Sequence, residues 1–235
     1  MIAGLQKMTL LDYPGKVACT VFLQGCNFRC PFCHNSDLLG KEGPETIPVE
    51  TLMTFLKKRA GLLDAVCVTG GEPTLQPGLE DLLRQIKGLG YLVKLDTNGN
   101  RPAVLKELVE KGLVDYVAMD IKNSPARYGE TAGVPNMTLE HLEESIRYLL
   151  AENVAYEFRT TVADELHDLE DFTAIGTWLQ RLDPNHKAAK FFIQPYVDRE
   201  SVLFSGLHTP AREKLLKMQA AITPFAEVAE IRGLD

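Results

Sequence analysis

Short apolar runs of strand length alternate along this chain with longer segments in which apolar residues recur at helical spacing. Residues 17–22 (Val-Ala-Cys-Thr-Val-Phe) show the first pattern, and residues 48–63 show the second. The pattern predicts strands over residues 17–22, 65–68, 92–95, 116–121, 154–162 and 190–193, with a last short strand over 227–231. It predicts helices over residues 48–63, 78–89, 102–111, 138–152, 169–181 and 210–222.

Six strand–helix units in succession indicate an α/β fold whose parallel strands are joined by right-handed crossovers. Six units are too few for a closed eight-stranded barrel, so an open partial barrel and a doubly wound sheet remain as alternatives. In both arrangements ligands bind at the carboxyl ends of the strands, and this is where we look for chemistry.

Polar residues do follow the predicted strands. The first strand leads into a cysteine-rich segment, the second into Thr-Gly-Gly-Glu-Pro at 69–73, and the third into Asp-Thr-Asn-Gly at 96–99. The fourth ends in Asp-Ile-Lys-Asn at 120–123, and the sixth leads into Gln-Pro-Tyr at 194–196. We expect these groups to converge on one rim of the sheet.

Composition limits the classes of protein that fit. A chain of 235 residues with 45% apolar residues can form one domain with a sizeable core, and a net charge of −7 argues against a nucleic-acid surface. The first residues lack the long apolar stretch of a secretion signal, and no apolar run approaches the ~20 residues that span a bilayer. Since the cysteines do not form a disulfide pattern, we expect a cytoplasmic protein.

The cysteine-rich segment places Cys26, Cys30 and Cys33 in a C-x3-C-x2-C spacing. Three thiolates on one loop would hold a [4Fe–4S] cluster and leave one iron open for a substrate or cofactor. Two alternatives are a c-type haem, because Cys30 to His34 also reads C-x2-C-H, and a structural zinc with a remote fourth ligand. Haem attachment would leave Cys26 without a role, and no second pair of zinc ligands follows. The spacing therefore favours the cluster.

Each of the other polar groups has a plain structural explanation beside a functional one. Gly70 and Gly71 could bring backbone close to a ligand or simply form a tight turn. Asp96 could contact a ligand or cap a turn. Asp120 and Lys122 are two residues apart at the end of a predicted strand, so their side chains point to the same face. There they could form an ordinary surface ion pair. Arg159 lies in an apolar strand, and if it points inward, as we favour, it needs an anion.

Aromatic and histidine residues complete the set. Phe32, inside the cysteine segment, could seal a cluster from water or pack on an adenine ring. His34 directly follows Cys33, so a turn or supporting role is expected rather than ligation of the same iron. The remaining histidines stand in polar surroundings, and we predict them at the surface: His141, His167, His186 and His208.

Together, C-x3-C-x-aromatic-C and the following Gly-Gly-Glu-Pro resemble the radical S-adenosylmethionine superfamily. Gly-Leu-Gln-Lys-Met-Thr-Leu-Leu-Asp-Tyr-Pro-Gly-Lys at 4–16, Cys33-His34-Asn35 and Asp-Thr-Asn-Gly at 96–99 resemble its glycyl-radical-enzyme activating enzymes. The resemblance extends to about Tyr196 and is greatest to the activators of anaerobic ribonucleoside-triphosphate reductase. It implies a partial (β/α)6 TIM-like barrel, as one radical SAM domain over 1–235 with a cluster loop at 24–36 and a peripheral segment at about 198–235.

The resemblance also implies cofactors: one [4Fe–4S] cluster on the three cysteines, S-adenosylmethionine, and, as a weaker carry-over, a monovalent cation. It assigns the cation to Asp96, Thr97 and Asp120. It assigns S-adenosylmethionine to Phe32, Gly70, Gly71, Glu72, Asp96, Thr97, Asn98, Lys122 and Arg159. The radical forms on this cofactor, so no protein acid or base is assigned.

The implied partners are a glycyl radical enzyme, whose glycine loop Asp12 would help to receive, and a flavodoxin or ferredoxin-type electron donor; no nucleic acid or membrane is implied. The near neighbours are activators of pyruvate formate-lyase, in which a His follows Leu-Pro-Tyr where this chain has Val197. This difference favours the reductase as partner. A radical enzyme acting on a small molecule, similar to 7-carboxy-7-deazaguanine synthase, and an iron–sulfur electron carrier are the remaining alternatives.

Overall fold

The computed structural model describes residues 1–40, 46–202 and 204–233. In this part of the chain eight strands form one sheet, in the order of the sequence. The strands are β1 (Ile2–Thr9), β2 (Ala18–Leu23), β3 (Ala65–Gly70), β4 (Leu92–Thr97), β5 (Tyr116–Asp120), β6 (Ala155–Val162), β7 (Ala188–Pro195) and β8 (Ala226–Ile231). The α-helices are α1 (Val49–Lys58), α2 (Leu79–Gly88), α3 (Pro102–Glu110), α4 (Tyr128–Thr131), α5 (Glu140–Leu150), α6 (Leu169–Leu182) and α7 (Arg212–Ile222).

Strand pairing confirms the predicted α/β class. β2–β3, β3–β4, β6–β7 and β7–β8 are parallel pairs. The predicted short strand over 227–231 is β8, which pairs with β7, whereas Leu234 and Asp235 lie outside the described residues. The sequence analysis missed β1, an edge strand that runs antiparallel to β2. Its central residues are half-buried or exposed, so it lacks the apolar run that identified the other strands.

Two compact units make up the chain. The first contains residues 1–27, 37–97 and 103–118, and the second contains residues 28–36, 98–102 and 119–235. The expectation of a single domain over 1–235 stays a prediction. Among the described residues, none of the helices has both the length and the apolar character needed to cross a membrane.

A buried cluster of mainly apolar side chains lies toward the amino ends of the strands in the first unit. Tyr13, Ala18, Ala65, Cys67 and Tyr116 form a buried cluster there, and the rings of Tyr13 and Tyr116 lie 5.7 Å apart. Ala18, Ala65 and Tyr116 are the first residues of their strands. The predicted site residues of this unit, Gly70 to Glu72 and Asp96 with Thr97, come at the opposite, carboxyl ends of β3 and β4, as expected for parallel α/β folds.

The second unit has its core between β6, β7 and the helices that follow them. Phe172 of α6 packs edge-on against Phe191 of β7, with ring centroids 6.3 Å apart. Helix α6 begins with a reciprocal capping box between Asp168 and Asp171, which satisfies backbone N–H groups of its first turn. Arg159 lies in β6, which pairs in parallel with β7.

Candidate functional site

Gly70 and Gly71 lie against the backbone that leads to Cys26. The amide of Gly71 donates to the carbonyl of Leu23 at 2.8 Å, and the amide of Glu72 donates to the carbonyl of Gly25 at 2.7 Å. A Cβ at Gly71 would lie 2.1 Å from the Gly25 oxygen, and one at Gly70, where φ is +117°, would lie 2.3 Å from the Leu23 oxygen. Both glycines are therefore needed to let β3 approach the chain just before the first cysteine.

Glu72 is a buried carboxylate that joins two strand ends. Its side chain is 1% exposed, and its Oε1 accepts hydrogen bonds from the Thr74 amide at 3.1 Å, the Thr74 hydroxyl and the Thr97 hydroxyl at 2.8 Å. This arrangement gives the Gly-Gly-Glu motif a structural function that the sequence analysis did not anticipate: it holds Thr97, the last residue of β4, against the end of β3.

Asp96 shares its carboxylate with a lysine that the sequence analysis missed. Lys94 is 1% exposed, and its ammonium donates to Oδ1 of Asp96, whose side chain is 15% exposed. The signal in the sequence was a lysine in an otherwise apolar strand, two residues before an aspartate, which places both side chains on one face. A monovalent cation at Asp96 would have to share this carboxylate with the ammonium.

Asp12 lies in the loop between β1 and β2, where its Oδ2 accepts a hydrogen bond from the hydroxyl of Thr20. The amides of Leu11 and Asp12 donate to the hydroxyl oxygen of Thr9 at 3.2 and 3.3 Å, which orders the loop. Leu10 and Leu11 are 66% and 88% exposed. The loop thus combines a fixed carboxylate with two projecting apolar side chains.

In the second unit, Cys30 and Cys33 are held by hydrogen bonds of the backbone around them. The amide of Cys33 donates to the carbonyl of Cys30 at 3.1 Å, and the Cys30 thiol points to the carbonyl of Ala132 at 3.9 Å. Burial raises the pKa of the Cys33 thiol, while Lys122 and Arg29 act in the opposite direction. Nearby positive charge favours the thiolate form that binds iron.

The end of the cysteine segment is attached to the chain after β7. The ring of His34 is bonded through Nε2 to the carbonyl of Val197 at 2.7 Å and stacks on Tyr196 with ring centroids 5.7 Å apart. The hydroxyl of Ser201 donates to the carbonyl of His34 at 2.7 Å. His34 therefore has a supporting role, as expected. No local feature of the sequence predicts that residues 196–201 provide its partners.

Asp120, Lys122 and Arg159 form a partly buried charge cluster. Lys122 Nζ lies 2.9 Å from one carboxylate oxygen of Asp120, and Arg159 Nε lies 2.9 Å from the other. Burial alone would raise the pKa of Asp120, but Arg159 and Lys122 outweigh it and lower the pKa to about 2. Burial alone would lower the pKa of Lys122, but the Asp120 carboxylate is the main influence that outweighs burial, and the pKa is raised.

Phe32 and His167 lie beside this cluster. Phe32 is 4% exposed, with Lys122 Nζ 5.9 Å from its ring centroid and the His167 ring at 6.1 Å. The prediction that His167 lies at the surface is wrong: it is fully buried, and its Nε2 is bonded to the carbonyl of Lys122 at 2.9 Å. Burial lowers the pKa of His167. The predictions for His141, His186 and His208 are confirmed, since all three are exposed.

Asn98 is 5% exposed, and its Oδ1 accepts the amide of Asn100 at 3.0 Å. The side-chain turn in the Asp-Thr-Asn-Gly motif is thus made by Asn98, whereas we had considered one for Asp96. Within residues 1–40, 46–202 and 204–233, no three His, Cys, Asp or Glu side chains form a group that could hold a metal ion.

The donor chemistry nevertheless fits an iron–sulfur cluster. All five cysteines are outside disulfide bonds, and three of them stand within eight consecutive residues. Cys19 and Cys67 are fully buried inside strands, where burial raises the pKa of each thiol, that of Cys19 to about 12. The set available to iron is thus Cys26, Cys30 and Cys33.

Comparison with known proteins identifies the family of the chain. The family model described as the Radical SAM superfamily matches residues 20–174. A protein of Methanocaldococcus jannaschii described as a "putative glycyl-radical enzyme activating enzyme" is 33% identical over 242 residues, covering 100% of this chain and 97% of the relative. Pyruvate formate-lyase 1-activating enzyme of Escherichia coli is 28% identical, covering 95% of each chain.

Solved structures share the fold. Streptococcus suis SuiB bound to S-adenosylmethionine superposes with a TM-score of 0.67 at 13% identity, covering 90% of this chain and 51% of that protein. A domain of pyruvate-formate lyase-activating enzyme from Bacteroides vulgatus gives a TM-score of 0.55 at 21% identity, covering 70% of this chain and 98% of that domain.

The chain therefore belongs to the radical SAM superfamily, and it is an enzyme of the glycyl-radical-enzyme activating class. Its cofactors are those of the superfamily, a [4Fe–4S] cluster and S-adenosylmethionine, as the sequence analysis expected. The predicted radical SAM core is likewise confirmed.

Proposed function

We propose that this chain activates anaerobic ribonucleoside-triphosphate reductase by reductive cleavage of S-adenosylmethionine in a reducing cytoplasm. The observation that carries the proposal is the number of available thiols. Cys26, Cys30 and Cys33 stand in one loop and form no disulfide, while Cys19 and Cys67 are fully buried inside strands. A [4Fe–4S] cluster on three thiolates has one iron without a protein ligand, which is the position that S-adenosylmethionine requires. When bound and reduced, the two cofactors supply a 5′-deoxyadenosyl radical that takes a hydrogen atom from a glycine Cα of the partner.

The charged side chains have the signs that the ends of S-adenosylmethionine require. Lys122 and Arg159 are two cations held by Asp120, and we assign them to the carboxylate of the cofactor. Asp96 offers a carboxylate to the ribose and the positively charged methionyl region. We assign Thr97, Asn98 and the Gly70-Gly71-Glu72 motif to the same cofactor, as the family resemblance implies.

Phe32 and His167 keep the region around Lys122 dry. Both side chains are buried, and the carbonyl of Lys122 is already bonded to His167. Excluding water strengthens the interaction between Lys122 and an incoming carboxylate, because the local dielectric constant falls. It also protects a reactive radical from side reactions.

The loop that carries Asp12 favours a protein as substrate over a small molecule. Leu10 and Leu11 project into solvent beside a carboxylate that is fixed by Thr20. Exposed apolar side chains next to a proposed site are typical of surfaces that contact another protein. We propose that Asp12 receives the backbone of the partner's glycine loop and that the two leucines contact its flanks.

The choice of partner rests on the sequence around Tyr196. Val197 stands where the activators of pyruvate formate-lyase carry a histidine. Its backbone carbonyl is hydrogen-bonded to the ring of His34. Pyruvate formate-lyase is the second candidate, because activating enzymes with that name match this chain over nearly its full length. The proposed electron donor is a flavodoxin or a ferredoxin.

The test is anaerobic. Protein reconstituted with iron and sulfide is reduced, mixed with S-adenosylmethionine and either the reductase or pyruvate formate-lyase, and examined by electron paramagnetic resonance for a glycyl radical. We expect the radical on the reductase, no radical with Cys30→Ser, and a normal yield with the matched control Cys67→Ser. A radical on neither partner, with turnover of a small molecule such as a deazaguanine precursor instead, would overturn the proposal.

A further inference from the structure

The backbone carbonyl of Lys122 is bonded to a buried histidine from the segment that follows β6. Lys122 comes two residues after the end of β5, and Nε2 of His167 lies 2.9 Å from its carbonyl oxygen. Because a carbonyl oxygen only accepts hydrogen bonds, Nε2 is the ring nitrogen that carries the proton. Nδ1 then accepts the amide of Ala163 at 3.3 Å. Both ring nitrogens are used, so the neutral ring has one defined orientation.

The same ring packs beside the cysteine segment. The centroid of Phe32, which lies between Cys30 and Cys33, is 6.1 Å from that of His167, and Lys122 Nζ is 5.9 Å from the Phe32 centroid. His167 and Phe32 are 0% and 4% exposed, whereas the side chain of Lys122 retains 13% exposure. A ligand can therefore reach the lysine, while the two rings beside it are closed to solvent.

A second side chain, next to Lys122 in the sequence, joins the same segments. Asn123 is fully buried, and its Nδ2 donates to the carbonyl of Leu166 at 2.9 Å and to the hydroxyl of Thr131 at 2.8 Å. The residue after this threonine is Ala132, whose carbonyl accepts the amide of Arg29 at 2.9 Å. The turn after β5 is thus connected by hydrogen bonds to the segment after β6 and, through the end of α4, to the backbone of the cysteine segment.

Packing alone does not require a histidine at position 167. An apolar side chain would fill this buried position without the cost of removing two ring nitrogens from water. Burial lowers the pKa of His167, which keeps the ring neutral and preserves its arrangement of one donor and one acceptor. What an apolar side chain could not provide is the hydrogen bond to the carbonyl of Lys122.

We propose that His167 is a positioning residue that holds Lys122 in the orientation in which its ammonium binds the carboxylate of S-adenosylmethionine. His167 fixes the backbone of Lys122, and Asn123 fixes the residue that follows, so the lysine side chain extends from one defined point. Supporting hydrogen bonds of this kind determine how precisely a binding group is placed. The inference rests on the proposed function, because it assumes that Lys122 contacts this carboxylate.

The test is a double-mutant cycle on the reconstituted holoenzyme. The dissociation constant of S-adenosylmethionine is measured for the wild type, His167→Asn, Lys122→Met and the double variant, from the change in the electron paramagnetic resonance spectrum of the reduced cluster. The asparagine amide is too short to reach the carbonyl of Lys122, whereas His167→Gln keeps a donor near the position of Nε2. Tyr156→Phe is the matched control, since it removes a buried acceptor of the Ala189 amide at 3.0 Å in the same unit.

We expect His167→Asn to bind S-adenosylmethionine about tenfold more weakly than the wild type, and His167→Gln to stay within about threefold. Lys122→Met should weaken binding by at least as much as His167→Asn. Adding His167→Asn to Lys122→Met should cause no further loss, because the lysine through which the histidine acts is already missing. Tyr156→Phe should lose stability in urea but bind the cofactor as the wild type does.

The inference is overturned if the losses multiply in the double variant, or if His167→Gln loses as much affinity as His167→Asn, because His167 then supports the fold without acting through Lys122. If His167→Asn does not fold, His167→Phe takes its place in the cycle, since phenylalanine keeps a ring beside Phe32 and lacks the donor. Unchanged binding by Lys122→Met counts instead against the proposed function, so the two failures are distinguishable.

Discussion

The hydroxyl of Thr97 donates a 2.8 Å hydrogen bond to Oε1 of Glu72, so that two buried side chains join the carboxyl ends of β3 and β4. This contact explains why a threonine follows Asp96 and why a glutamate follows the glycine pair. It also fixes the backbone on which Asp96 sits. Two motifs that are 25 residues apart in the sequence therefore act as one structural element.

Thr97→Val tests this connection, because valine keeps the shape and removes the donor. Glu72 then loses one of the donors to a buried oxygen, and we expect the free energy of unfolding to fall by about 1–2 kcal/mol. Urea unfolding measures the change, and binding of S-adenosylmethionine should weaken severalfold. The control is Thr173→Val, whose hydroxyl bonds to Leu169 on an exposed face of α6. Equal effects of the two substitutions would contradict the assignment.

Gly71→Ala tests the close approach of β3 to the chain before Cys26. The added Cβ would lie 2.1 Å from the Gly25 oxygen, so the backbone has to move. We expect a loss of about 1–3 kcal/mol in unfolding free energy together with incomplete iron loading, since Gly25 immediately precedes a ligand. Gly78→Ala is the control, because its Cβ would meet open space. Full iron loading of Gly71→Ala would show that the approach is dispensable.

His34→Phe tests the attachment of the cysteine segment to residues 196–201. Phenylalanine can still stack on Tyr196 but cannot bond to the carbonyl of Val197, and we expect a cost of roughly 1 kcal/mol. The sharper measurement is the rate at which a chelator removes iron from the reduced holoenzyme, which should increase severalfold. His186→Phe, at an exposed position, should leave that rate unchanged. The prediction is wrong if both variants lose iron at the wild-type rate.

Sequence patterns predicted most strands because β2 to β7 are rich in apolar and β-branched residues over short lengths that alternate with helical patterns. The edge strand β1 was not predicted, because Gln6, Lys7 and Met8 are exposed and the segment lacks a buried apolar run. The cysteine spacing identified the cofactor for a chemical reason, since thiolate number and spacing follow directly from the order of residues.

Side-chain partners that are distant in sequence could not be predicted in the same way. His167 stands between Leu166 and Asp168, and its polar neighbourhood gave no sign that its ring reaches the carbonyl of Lys122, 45 residues earlier. We expected an inward-pointing Arg159 to need an anion. The structure shows that Asp120 of the same chain is such an anion. Such pairings depend on how the strands align, which local patterns leave open.

The low pKa of Asp120 predicts a specific dependence of stability on pH. Its pKa falls from 3.8 to about 2 because Arg159 and Lys122 favour the carboxylate more than burial opposes it. A carboxyl whose pKa is lower in the folded state stabilises the fold above its unfolded pKa, and this contribution disappears as the pH falls through the folded value. The shift corresponds to about 2 kcal/mol, present above about pH 5 and lost progressively between about pH 4 and pH 2.

Asp120→Asn removes this contribution and makes it measurable as a difference. We expect the wild type to exceed the variant in unfolding free energy above about pH 5, and the gap to narrow by about 1 kcal/mol or more as the pH approaches 3, because the carboxyl of the unfolded wild type takes up a proton in this range while that of the folded protein stays ionised. Urea unfolding of the metal-free protein across this range gives the difference, with Asp37→Asn, at an exposed position, as the control. A gap that stays constant with pH would mean that Arg159 and Lys122 do not hold Asp120 ionised, and the charge cluster would then lack the fixed geometry required to orient a cofactor carboxylate.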